Sequence, residues 1–106
     1  MDPITINAIV LREDGMWIAQ CLEFNFVSFA ASLEELPQVF VQQVADQIEA
    51  DLEAGQSPFF GYRPAPQECW DRFEEIRRSS KPIQMVELLD RPTKVDAFLF
   101  PESAAA

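Results

Sequence analysis

Histidine is absent from this chain, and cysteine and glycine are scarce, at two and three residues of 106. Without imidazole, general acid-base chemistry falls to carboxylates of raised pKa, and no acid pair stands in an apolar stretch that would raise one. Cys21 and Cys69 have no ligand spacing and no histidine to complete a tetrahedral set, which excludes a zinc site. One lies in a strand-like run and the other in a helix-like run, so both read as buried free thiols rather than a disulfide. Three glycines build no phosphate-cradling loop, and neither Cys21 nor Ser32 has a base beside it to make a nucleophile. Apolar runs fall well short of the roughly 20 residues that span a bilayer, and the opening MDPITIN lacks the basic and apolar regions of a signal peptide. The cytosol is the expected compartment.

Basic residues are scarce in one half only. Up to Gly55 a single base, Arg12, stands against ten acids, whereas beyond it seven bases nearly balance eight acids. Most of the net charge of −10 is therefore N-terminal. Such a surface repels phosphate backbones and anionic membranes and speeds encounter with a basic partner, although the same charge also simply keeps a small protein soluble. The length suits one domain spanning 1–106 with a single core.

In Ile4 to Arg12, Ile4, Ile6, Ala8 and Val10 share one face of an extended segment, which predicts a strand. Asp14-Gly15 supplies the positive backbone angles of a two-residue hairpin turn, so Met16 to Phe24 should pair back on it. After a break at Asn25, Phe26 to Ala31 reads as a third strand. Ser32 is then expected to open a helix, with Glu35 three residues on completing a reciprocal cap and Pro37 tolerated in the first turn. Leu36, Phe40, Val44, Ile48 and Leu52 recur every four residues, and Leu33, Val41 and Ala45 widen the stripe that should cover the sheet. Gly55 is the expected stop, with Pro58 soon after. Asp46, Glu49 and Glu53 fall off the stripe, and the helical acids as a group are placed on its polar side.

The second half begins with an aromatic, proline-rich connector, Ser57 to Pro66. Pro66 is then placed to start a second helix with Cys69, Trp70, Phe73, Ile76 and Arg77 at helical spacing and Glu74 four residues before Arg78. Val86, Leu88 and Leu89 form a short apolar segment of open type. Val95 to Phe100 reads as a strand closed by Pro101, and the Ala-rich tail as frayed. The expected class is α+β: a three-stranded antiparallel meander, a long packed helix, a second helix and a further C-terminal strand.

Asp14-Gly15-Met16-Trp17-Ile18-Ala19-Gln20-Cys21-Leu22-Glu23, followed by Val27 and by Ser32-Leu33-Glu34-Glu35-Leu36, resembles the N-terminal domain of HicB-like antitoxins. There a turn, an aromatic residue and a strand run into a third strand and a Thr-Leu-Glu-Glu helix start. The resemblance covers about residues 4–55 as a β-β-β-α unit, leaving 56–106 as a helix-plus-strand extension. Asn25-Phe26 and Ala30-Ala31 stand where the family commonly carries Pro-Gly and Gly-Asp elements. It implies a partial ribonuclease H-like fold whose helix-backed sheet binds and neutralises a small basic RNA-cleaving toxin. Such proteins often add a DNA-binding module, but here Arg72, Arg77, Arg78 and Lys81 are interleaved with Asp71, Glu74 and Glu75, which argues against a DNA reader.

Two other classes compete. A nuclease on this frame needs carboxylates at the sheet centre to hold hard cations, yet Ile4 to Leu11 contains no acid. An acidic inhibitor that imitates nucleic acid, or a homo-oligomeric module, would use the aromatic surplus of Trp17, Phe24, Phe26, Phe29, Phe59, Phe60 and Tyr62 as interface, where core packing is the plainer use of each. The candidate partner-binding residues are Trp17, Glu23, Phe26, Asp46, Glu49 and Glu53, with no catalytic, cofactor-binding or metal-binding residue assigned. An exposed edge of the meander could also pair with its equal in a second copy, giving a homodimer. Both faces of Met16 to Phe24 are largely apolar, so neither should be freely wet.

Overall fold

The computed structural model describes residues 4–82, 84–89 and 94–102. Five strands form one mixed sheet in the order β3-β2-β1-β5-β4, with β1 Ile4–Glu13, β2 Met16–Cys21, β3 Val27–Ala30, β4 Gln84–Leu89 and β5 Lys94–Pro101. Two helices, α1 Leu36–Glu53 and α2 Gln67–Ser79, lie between β3 and β4 in the chain. The expected meander is present: β1 pairs antiparallel with β2 and β2 with β3. Asp14 and Gly15 turn the hairpin with φ of 51° and 78°, the left-handed pair that this connection requires.

The C-terminal part differs from the expectation in number and direction of strands. β5 inserts beside β1 in parallel, from Ile4 opposite Val95 to Val10 opposite Pro101, and the segment of open type becomes β4, an antiparallel edge strand on β5. In Val95 to Phe100, Val95, Ala97 and Leu99 face α1 while Phe98 and Phe100 face α2, so apart from Asp96 the strand is apolar on both faces, as suits an interior strand covered by a helix on each side. The expectation of a frayed Ala-rich tail concerns residues outside those described.

Each face of the sheet has its own helix. Ile6, Ala8 and Val10 of β1, Ala19 and Cys21 of β2, Ala30 of β3 and Val95, Ala97 and Leu99 of β5 bury with Leu36, Phe40, Val44 and Ile48 of α1. Fully burying each of the large members stabilises by roughly 1.5–3 kcal/mol. On the opposite face, Ile9, Leu22 and Phe100 meet Phe73 and Ile76 of α2, together with Ala65. The alternation along β1, even residues to α1 and Ile9 to α2, is the two-residue period of a strand covered on both sides.

Three boundaries moved for identifiable reasons. Helix α1 begins at Leu36 rather than after Ser32, because Pro37 has no N–H to give the Leu33 carbonyl. The Ser32 hydroxyl does accept from the Glu35 N–H, at 3.3 Å, but caps the preceding turn, while the first helical bond runs from Val39 N–H to the Glu35 carbonyl. Strand β2 stops at Cys21 because its continuation is taken over by other partners: the Glu23 carboxylate accepts from the Asn7 N–H at 2.7 Å and the Leu22 carbonyl accepts from Ala65 N–H at 2.7 Å. Phe26 and Ala31 similarly fall outside β3. Helix α1 ends as expected: Gly55 sits at φ 76° and gives its N–H to Leu52, while Gln56 N–H reaches Asp51, the paired bonds of a Schellman cap.

Candidate interaction surfaces

The six candidate residues do not form one site. Asp46, Glu49 and Glu53 come together on the solvent side of α1, all exposed, as spacings of three, four and seven residues require. The stripe from Asp46 to Glu53 is about 10 Å long at 1.5 Å per residue. Asp46 accepts from Gln42 Nε2 at 2.8 Å, and an open groove of about 890 Å³ beside it is lined by Pro37, Val39, Gln42, Gln43 and Asp46 among others. From Glu13 to Tyr62 the chain carries no base, and the two ion pairs among the described residues, Arg72–Glu102 and Arg77–Glu74, both involve α2. Arg77 thus takes the partner expected of Arg78. The α1 acids are left as an uncompensated negative surface among the described residues.

Trp17, Glu23 and Phe26 lie elsewhere and have structural partners. Trp17 is half-buried against the α1 core, with the Arg12 guanidinium 5.7 Å from its ring centre. Glu23 holds both the N–H and the Nδ2 of Asn7, at 2.7 and 2.9 Å, so its two oxygens are engaged in fixing the start of the β2–β3 turn. Phe26 stacks against Phe40 and Phe59 at 5.6 and 5.9 Å between ring centres.

The connector after α1 is more ordered than a proline-rich stretch suggests. Phe59 stacks on Phe24 with ring centres 4.0 Å apart, and Tyr62 stands edge-on to Phe24, Phe26 and Phe59. Phe59 has φ of 61°, a costly backbone for a bulky residue. It is held there by Asp51, whose Oδ2 accepts the Phe59 N–H at 2.6 Å in a buried bond. Gln47 joins the clamp, giving its Nε2 to Asp51 Oδ1 at 3.0 Å and accepting from the Tyr62 hydroxyl at 3.0 Å. Asp51 therefore corrects the placing of all helical acids on the polar side: it is buried, as the acceptor that a left-handed Phe59 needs. Nothing in the local sequence marks Asp51 or Gln47 for this role, since a carboxylate or an amide near a helix end looks like any solvated side chain. The Gly55-to-Tyr62 aromatic run was the available hint that something had to be tied back.

The clamp leaves Phe60 65% exposed, beside Tyr62 and Arg63. A second exposed apolar area lies on the α2 side of the sheet: Phe29 is 53% and Val27 41% exposed, with Met16 also exposed and Ile18 half-exposed alongside. The register puts Phe29 opposite Ile18, and Val27 opposite Gln20.

Cys21 is fully buried, and loss of solvation pushes its thiol up to about 12, against which the N–H groups of Phe24, Glu23 and Asn25 act in the opposite sense. Such a thiol is unreactive at neutral pH. Among the described residues no three of Cys, Asp and Glu gather as a metal would require, and no helix is long and apolar enough to cross a membrane. No family model, curated protein or solved structure matches the chain.

Proposed function

We propose that this protein is a non-catalytic binding protein of the HicB-like antitoxin type, which captures and neutralises a small basic protein, such as a ribonuclease toxin, on the acidic surface of α1. The observation that carries this reading is the stripe Asp46, Glu49 and Glu53: three exposed acids on one helix face, in a 50-residue stretch from Glu13 to Tyr62 without a single base. An array of this kind steers a basic partner and suits it in charge, while the helix beneath is fixed rigidly by its buried stripe. The half-buried Trp17 and Phe26 then act by holding that surface in place, and Glu23 by fixing the turn beside it. Support also comes from the helix-backed antiparallel meander over β1 to α1, the unit on which the antitoxin resemblance rests.

Affinity capture from the native cell, with the bound protein identified, tests this. A basic partner should be retained at low salt and released as ionic strength rises. Reversing Asp46, Glu49 and Glu53 together to Lys should weaken it at least about tenfold, with the circular dichroism spectrum unchanged. Retention of the partner by the reversed variant, or metal-dependent cleavage of nucleic acid by the purified chain, would overturn the reading.

A further inference from the structure

We infer that the β3 edge is a self-association site, at which two copies of this chain pair antiparallel about a two-fold axis at Phe29 and extend the sheet from one molecule into the next. The proposal is independent of the basic partner and concerns a different surface from the acidic stripe.

The backbone sets the register. The Phe26 carbonyl points inward to the Cys21 N–H at 2.8 Å, and backbone groups alternate in direction along a strand, so Val27 and Phe29 turn theirs outward. Of that outward row, the Val27 carbonyl is already taken by Gln43 Nε2 at 3.1 Å, and Gln43 is itself held by the Ser28 hydroxyl at 2.7 Å. A pairing of Val27 with Phe29 of a second copy would need that carbonyl. Pairing Phe29 with Phe29 keeps its two central bonds clear of it: each residue gives its N–H to the other's carbonyl, both groups face out on the same residue, and the flanking Ala31, which would otherwise call on the Val27 carbonyl, already lies past the end of β3.

The side chains agree with the backbone. Phe29, Val27 and Ile18 stand on one face, and the two-fold axis brings the Phe29 rings opposite one another, as aromatic pairs across strands favour. Edge strands that remain single are usually blunted by a charge, a proline or a bulge, but Phe26 to Leu33 contains no charged residue and no proline. In a chain of net charge −10, two copies approach most easily at an uncharged edge, whereas a basic partner gains nothing there. A second copy is therefore the occupant that this edge fits.

Sedimentation of the full chain against concentration and salt tests the proposal. A dimer should form and strengthen as salt screens the like charges, opposite to the salt dependence of basic-partner capture. Phe29→Lys, a surface change that leaves the core intact, should raise the dissociation constant at least about tenfold. In a Cys69→Ala background, Phe29→Cys should form an intermolecular disulfide on mild oxidation, since directly paired residues of this type lie about 5.5 Å apart at Cα. Val27→Cys should not, because the same axis separates the two copies of that residue by about 14 Å along the strands. A chain that stays monomeric at its highest soluble concentration, a dimer indifferent to Phe29→Lys, or cross-linking at Val27 rather than Phe29 would overturn it.

Discussion

The two faces of the sheet are covered unequally. On one, the 18-residue α1 packs across residues of β1, β2, β3 and β5, and the aromatic connector tucks under its C-terminal end. On the other, the 13-residue α2 buries only Phe73 and Ile76 of its own, leaving Phe29, Val27 and Met16 exposed. The unequal cover follows from patterning: α1 places an apolar residue at every fourth position from Leu36 to Leu52, whereas α2 alternates its few apolar residues with charges. What the contrast teaches is where free surface arises on a small two-faced sheet. The well-covered side presents the outside of its helix, which is acidic, and the poorly covered side presents the sheet itself, which is apolar.

Truncating one large residue under each helix tests that inequality most severely. Phe40 is fully buried and Phe73 nearly so, but Phe40 is enclosed by sheet, helix and aromatic connector, whereas Phe73 lies beneath a short helix that can settle into the space left behind. Phe40→Ala should cost about 4–5 kcal/mol, and Phe73→Ala about 3 kcal/mol, read as shifts of the urea midpoint at constant slope. Equal losses would show that the two faces contribute alike to stability.

This asymmetry was only partly legible beforehand. The meander, its Asp14-Gly15 turn and the stripe Leu36, Phe40, Val44, Ile48 were readable because their periods are long and their terminators strong. The parallel insertion of β5 next to β1 was not, since parallel and antiparallel partners leave the same apolar pattern in a strand. Charge at Asp46, Glu49 and Glu53 announced its exposure, but identical charge at Asp51 and Glu23 concealed acceptors that hold Phe59 and Asn7. Nothing local distinguishes a carboxylate that faces water from one that faces a buried N–H; only the fold supplies the donor.

Those two carboxylates offer a second comparison. Asp51→Ala leaves the Phe59 N–H buried without an acceptor and frees a backbone that is unfavourable on its own, so a loss of about 2–3 kcal/mol is expected. Glu23→Ala removes two bonds, but around Asn7 the groups are only half-buried and water can replace the carboxylate, which limits the loss to about 1 kcal/mol. Thermal unfolding of both variants checks the ranking, and a larger effect at Glu23 would reverse the reading of which side is tied more firmly.

At neutral pH the smallest effect on stability comes from the cysteines, one placed on each side. Cys69, on α2, is half-exposed, whereas Cys21 lies under α1 with its thiol pushed up to about 12 by burial. A thiol reagent at neutral pH should label Cys69 rapidly and Cys21 only as fast as the α1 side opens, so the second rate should fall in step with stability across the variants above. The pH dependence has a definite sign. Below about 9 both the folded and unfolded states keep the Cys21 proton; between about 9 and about 12 the unfolded chain releases it and the folded one does not. Stability should therefore decline as pH rises through that window, by up to roughly 1.4 kcal/mol per unit. Cys21→Ala should flatten this component of the slope while Cys69→Ala leaves it in place, and an unchanged slope in Cys21→Ala would mean that the buried thiol is not what couples the α1 face to alkali.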